Sequence, residues 1–160
     1  MPRATTKSAP LRNPRTSPGR DRLDLGPLPE FVGFHIRIAQ VAVYADFMVG
    51  QAPSPLTPGL LAILVLIDRN PELTQQRLCE AIGVDKSTMV ASLHRLSDRG
   101  LIKRVRSTED RRQNSLVLTA KGVAKLKATL QHVRMHEKRI SSRLSAAECE
   151  QLVGLLRKIG

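Results

Sequence analysis

Residues 74–122, TQQRLCEAIGVDKSTMVASLHRLSDRGLIKRVRSTEDRRQNSLVLTAKG, decide how the rest of the chain is arranged. Thr74 reads as a helix N-cap, with Leu73 before it and Leu78 inside the first turn as a hydrophobic staple. The helix it starts is short and ends at Gly83. Asp85 caps the next helix, with Val84 and Met89 as the second staple, so the connection is only AIGVDK. A glycine is what a turn this tight needs. On the second helix Met89, Leu93 and Leu96 fall within about 60° of one another at about 100° per residue, which sets the buried face. The opposite face carries Ser87, Thr88, Ala91, His94 and Arg95. Gly100 ends this helix, LIKRVR and SLVLT flank STEDRRQN as the strands of a hairpin, and Thr119 caps a further helix.

Two capped helices, a tight turn, a hairpin and a following helix are the layout of a winged helix-turn-helix. Between Lys86 and Arg112 the basic residues are Lys86, Arg95, Arg99, Lys103, Arg104, Arg106, Arg111 and Arg112, against Asp98, Glu109 and Asp110. That local excess of positive charge suits a polyanion. Small, polar or basic side chains on the N-terminal half of a helix are what a major groove admits. Two adjacent arginines at a hairpin tip suit a narrow minor groove, with Asp110 holding an arginine extended through a bidentate ion pair. Lys86, Ser87, Thr88, Ala91, His94, Arg95, Arg106, Asp110, Arg111 and Arg112 are therefore the expected contacts to double-stranded DNA.

On the N-terminal side, a helix is expected from about Glu30 to Val49, with Phe31, Phe34, Ile38, Val41 and Ala45 as an apolar stripe. Thr57 and Pro58 open a second helix, GLLAILVLID, apolar nearly all round, which Asn70-Pro71 stops. Residues 1–29 differ in kind: six prolines and six basic residues with almost nothing apolar predict a disordered basic arm. Such an arm either follows DNA phosphates or is a solvated tail. On the C-terminal side, Val123, Leu126, Leu130, Val133 and Ile140 continue a 3-4 spacing over about five turns. Ser145 and Glu148 then form a capping box before Leu152, Val153, Leu156 and Ile159. A small winged domain cannot cover both terminal stripes, so a helical homodimer interface is expected. The fold class is thus mainly α with a small β-hairpin wing, a winged helix-turn-helix plus a helical dimerisation region. Its parts are the arm at 1–29, a dimerisation helix and loop at 30–56, the DNA-binding domain at 57–119 and dimerisation helices at 120–160.

Composition narrows the classes further. The 160 residues carry 26 Lys and Arg against 14 Asp and Glu, a formal net charge of +12. No apolar run is long enough to span a membrane or to serve as a signal peptide, so a cytoplasmic protein without a membrane partner is expected. Cys79 and Cys149 are far apart and suit buried small hydrophobes better than a disulfide or zinc site. His132 and His136 stand four apart beside Glu137, too few donors for a metal site. Phosphate-cradling glycine loops, HExxH and GxSxG are all missing, so neither an enzyme nor a cofactor is expected.

The run Asp110-x-Arg112-x-x-x-Leu116-x-Leu118-Thr119-x-x-Gly122 resembles, at each fixed position, the wing signature of the MarR family of bacterial transcription regulators. The resemblance covers the chain from about Pro29 to the C-terminus. It implies that Arg112 enters the minor groove supported by Asp110, and that Ser87, Thr88, Ala91 and Arg95 meet bases and phosphates. Ser107 and Ala91 depart from the acidic and larger polar residues common at those positions, so the family's operators do not transfer. The family also implies a dimer and a ligand site between the dimer helices and the winged domain. His35, Arg37, Tyr44 and Asp46 are the candidate ligand residues, Arg37 suiting a carboxylate or phosphate. GFHIRIAQVAVYADF further resembles a subgroup that controls aromatic-acid catabolism and responds to aryl carboxylates or their coenzyme A thioesters. The expectation is a ligand-responsive repressor that binds a palindromic operator. A non-specific nucleoid-type DNA binder, or a winged-helix module for protein contacts, is the alternative.

Overall fold

A computed structural model describes residues 23–51, 55–106 and 114–159. Its elements are a 3-10 turn at Leu28–Glu30, then α1 (Val32–Met48), α2 (Pro58–Arg69), α3 (Gln75–Ile82), α4 (Lys86–Asp98), β1 (Ile102–Arg106), β2 (Asn114–Leu118), α5 (Ala120–Ile140) and α6 (Ala146–Leu156). The chain divides into two units, Met1–Arg37 and Ile38–Gly160. The mainly α class with a β-hairpin wing is the class observed. The expected arm at 1–29 falls almost wholly outside the described residues.

In the first unit, Pro29 sits inside the 3-10 turn and the Phe31 amide donates to Leu28 O. The helix expected from Glu30 therefore begins two residues later, after that separate turn. His35 Nε2 donates to Pro29 O at 2.8 Å.

The second unit is built on α2. Thr57 accepts from the Leu60 amide as its N-cap, and Leu60, Leu61, Ile63, Leu64 and Ile67 are buried. Around them pack Leu73, Leu78, Met89, Leu93, Leu96, Leu101, Ile102, Leu116 and Leu126 in one core. Thr74 and Gly83 bound α3 as expected. Gly83 caps it at φ 71°, a left-handed conformation that lets the chain reverse within the short turn. Asp85, Thr119 and Ser145 also cap their helices, and both arms of the Ser145–Glu148 capping box form.

β1 and β2 pair antiparallel, Ile102 opposite Leu118 and Arg106 opposite Asn114. A third short partner lies beside β2. Thr74 bridges to Ser115, the Leu116 amide donates to Leu73 O at 2.9 Å, and the Ser115 hydroxyl donates to the Glu72 carboxylate. Glu72 adopts φ 57°, uncommon for a residue with a side chain, to turn the chain into that bridge. Nothing in the periodicity of a two-residue bridge announces it.

The root of the hairpin is fastened to α5 by close backbone approach. Thr119 Oγ1 donates to Gly100 O at 2.6 Å and the Thr119 amide donates to Leu101 O at 3.0 Å. A Cβ on Gly122 would overlap Leu101 O, so only glycine fits there. This close approach also sets how α5 is rotated. Its buried face is Gly122, Leu126, Thr129 and His136, one residue away from the expected stripe at Val123, which is about half exposed.

The terminal helices keep apolar surface in solvent. On α1 only Asp46 and Phe47 are buried, while Ile38 and Val41 are 45% and 51% exposed. On α6 no side chain is buried, and Leu152, Val153, Leu155 and Leu156 are each close to half exposed.

Candidate nucleic-acid interface

The buried side of α4 is the expected one, Met89, Leu93 and Leu96 each being 2% exposed or less. That anchorage turns Lys86, Ser87, Thr88, Ala91, His94 and Arg95 outward, and all six are exposed. They form one surface on the helix, with the N-terminal turn leading. Next to it β1 exposes Lys103, Arg104 and Arg106. Arg104 Nη2 reaches Gln75 Oε1 on α3 at 3.4 Å, and a cleft lined by Leu93, His94, Ser97, Ile102 and Arg104 lies where α4 meets the strand. Asp110, Arg111 and Arg112 lie outside the described residues.

At the start of α4 the hydroxyls are organised by Asp85. The Thr88 amide donates to Asp85 Oδ1 at 2.9 Å and the Thr88 hydroxyl to Oδ2 at 2.6 Å. The Ser87 hydroxyl donates to Oδ1 as well. These bonds, from Ser87 first and then Thr88, hold the Asp85 carboxyl well below the usual carboxylate range. Periodicity and charge picked out Ser87 and Thr88 but gave Asp85 only a capping role. The spacing D-x-S-T was the signal for more.

Of the four candidate ligand residues, His35 and Arg37 belong to the first unit and Tyr44 and Asp46 to the second. His35 and Arg37, two apart on a helix, project to opposite sides, and so do Tyr44 and Asp46. Tyr44 is about half exposed, whereas Asp46 is buried. Its Oδ1 accepts from His136 Nδ1 at 2.7 Å and from Arg139 Nη2 at 2.8 Å, and Arg139 Nε reaches Oδ2 at 3.1 Å. The Arg139 guanidinium, and then His136, hold the Asp46 carboxyl below its ordinary range despite burial. Beside it His132 Nε2 donates to Phe47 O at 2.9 Å, and the Phe47 ring meets His132 and His136 edge-on. The histidine pair on α5 thus grips the end of α1. Among the described residues no group of three His, Cys, Asp or Glu side chains is placed to hold a metal, and no helix is long and apolar enough to cross a membrane.

Comparison with known proteins agrees with this architecture. Residues 54–113 match the sequence profile of the MarR family. A Thauera aromatica protein named for transcriptional regulation of the hcr operon is 38% identical over 129 residues, covering 80% of this chain and 78% of that protein. The transcriptional repressor CouR, in a structure bound to a 23-mer DNA duplex, is 36% identical. It superimposes with a TM-score of 0.80, covering 87% of this chain and 99% of that one. CouR bound to p-coumaroyl-CoA is 34% identical in the aligned region, with a TM-score of 0.79 over 86% of this chain and 97% of that one. By sequence over most of its length and by fold, the chain belongs to the MarR family and is a transcriptional regulator rather than an enzyme.

Proposed function

We propose that this regulator is a homodimeric repressor that binds a palindromic operator and is released by an aromatic carboxylate or its coenzyme A thioester. The observation that carries the DNA reading is α4, whose buried leucines and methionine leave a continuous polar and basic face in solvent. In this reading Lys86, Ser87, Thr88, Ala91, His94 and Arg95 enter a major groove, while Arg106, Asp110, Arg111 and Arg112 belong to the wing. The likeness to CouR on a DNA duplex supports it.

The exposed apolar faces of α1 and α6 support a dimer, since a lone chain leaves them in water. Residues 30–56 and 120–160 then serve as dimerisation segments around a DNA-binding domain at 57–119, with 1–29 as a basic arm. A two-fold axis would set two α4 helices about 34 Å apart on successive major grooves.

The likeness to CouR with p-coumaroyl-CoA supports an aryl thioester as effector. His35, Arg37 and Tyr44 are the proposed effector contacts, Arg37 for an anionic group. Asp46, already held by His136 and Arg139, acts in this reading through the packing of α1 on α5.

Titrating the purified protein onto a duplex from its own upstream region and onto a scrambled duplex, at physiological salt, tests the proposal. Preference for the upstream duplex with two protomers per site is expected. Equal affinity for both would favour a non-specific binder.

A further inference from the structure

A hydroxyl has one proton to give and two lone pairs to receive with. At the start of α4 both protons are already spoken for. Ser87 donates to Asp85 Oδ1, and Thr88 Oγ1 donates to Asp85 Oδ2 at 2.6 Å. Hydrogen bonds to a carboxylate are the strong kind, and removing water around them on a nucleic acid strengthens them further. What Ser87 and Thr88 show to the outside is therefore lone pairs. A phosphate, which only accepts, has nothing to receive from them and meets the Asp85 charge as well. The helix N-terminus, otherwise attractive to a phosphate, is filled by the same carboxylate, which accepts from the Thr88 amide at 2.9 Å.

Resting on the regulator reading above, we infer that Asp85 is a specificity-determining positioning residue: it fixes Ser87 and Thr88 as hydrogen-bond acceptors that select bases by an exocyclic amino group. In the major groove those groups are adenine N6 and cytosine N4, whereas guanine N7 and O6 and thymine O4 accept and are refused. Phosphate contacts then fall to Lys86, Arg95 and the basic residues of β1. Substituting Asp85→Asn keeps the cap, because asparagine caps about as well as aspartate. It puts an amide NH2 where Oδ2 stood, so the Thr88 proton is left without its acceptor and turns outward, while Oδ1 still receives Ser87 and the Thr88 amide.

The test uses the full-length protein and a site enriched from a random duplex library. In that site single exocyclic amino groups are deleted, with purine for adenine and 2-pyrimidinone for cytosine, and single N7 acceptors with 7-deazapurines. Each duplex is bound by wild type, Ser87→Ala, Thr88→Ala and Asp85→Asn, with circular dichroism as a control on helix content. Deletion of one amino group should weaken wild type about three- to tenfold. That effect should vanish in Ser87→Ala or Thr88→Ala, according to the position. Asp85→Asn should abolish it at the Thr88 position and retain it at the Ser87 position, a change that a cap alone does not produce. Coupling of either hydroxyl to an N7 acceptor, coupling to no amino group, or an unchanged Thr88 pattern in Asp85→Asn would overturn the inference. A library from which wild type enriches no site would overturn the regulator reading itself.

Discussion

His136 Nδ1 lies 2.7 Å from Asp46 Oδ1 with both side chains buried, joining the end of α1 to the C-terminal part of α5 across 90 residues of sequence. Arg139, one turn further along α5, closes on the same carboxylate at 2.8 Å. The Asp46 carboxylate is thereby paired away from most solvent, and removing it leaves the Arg139 guanidinium without its partner.

Substituting Asp46→Ala should destabilise the fold by about 2–3 kcal/mol, between a surface pair and a fully buried one because Arg139 keeps some exposure. Its pH dependence has a definite sign. The folded-state pKa of Asp46 is held below the unfolded value, so the folded state binds fewer protons in acid. The contribution is complete above the unfolded value of about 3.9 and fades as the pH falls toward the folded one. Urea melts at fixed protein concentration should therefore show the gap between wild type and Asp46→Ala narrowing below about pH 4. A gap independent of pH would remove the ion pair from the account.

Gly122→Ala is the smallest change expected to damage the wing. Its methyl would overlap Leu101 O, a backbone atom that cannot swing away. Forcing extra volume into so tight a space costs about 1–3 kcal/mol and displaces the root of β1. Thermal melts should show the destabilisation, with DNA binding weakened even where the protein remains folded. A melting temperature equal to wild type would mean that α5 does not lie against Leu101 as described.

The apolar face of α6 offers a test of the dimer. Replacing Leu152 and Leu155, both close to half exposed, with glutamate should leave helix content and the core around α2 intact. Sedimentation should then report a monomer, and affinity for the upstream duplex should fall by at least about a hundredfold as the second half-site is no longer engaged. A variant that sediments as wild type would place the interface elsewhere.

Arg95→Ala and Arg112→Ala separate DNA binding from folding. Arg95 is exposed on α4 and Arg112 belongs to the wing motif, so neither change should alter helix content or the dimer. Each should weaken operator binding. The slope of log affinity against log salt should also flatten by about one for every phosphate that a protomer no longer neutralises. Loss of folding in either variant would sink its assignment to DNA.

What was legible in the chain was mostly local. Thr57, Thr74, Asp85, Thr119 and Ser145 each cap the amide three residues on, so their spacing alone announces them. The outward face of α4 was readable because Met89, Leu93 and Leu96 repeat at helical spacing. Features that depend on distant chain were not readable. His132 and His136 read only as a pair with too few donors for a metal, and nothing local announces that they bond Phe47 O and the Asp46 carboxylate. Gly122 stood out as a fixed position of the wing signature, but the reason for it is the Leu101 carbonyl on the other side of the hairpin. The bridge from Thr74 to Ser115 is too short to carry any alternation of its own.

The most direct measurement of the central claim is release of the protein from its own upstream duplex by a panel of aromatic acids and their coenzyme A thioesters, with unrelated acyl thioesters as controls. The account predicts tight binding to that duplex, weak binding to a scrambled one, and dissociation by an aromatic member of the panel at concentrations that leave the controls inert. Binding that ignores sequence and is untouched by the whole panel would contradict it.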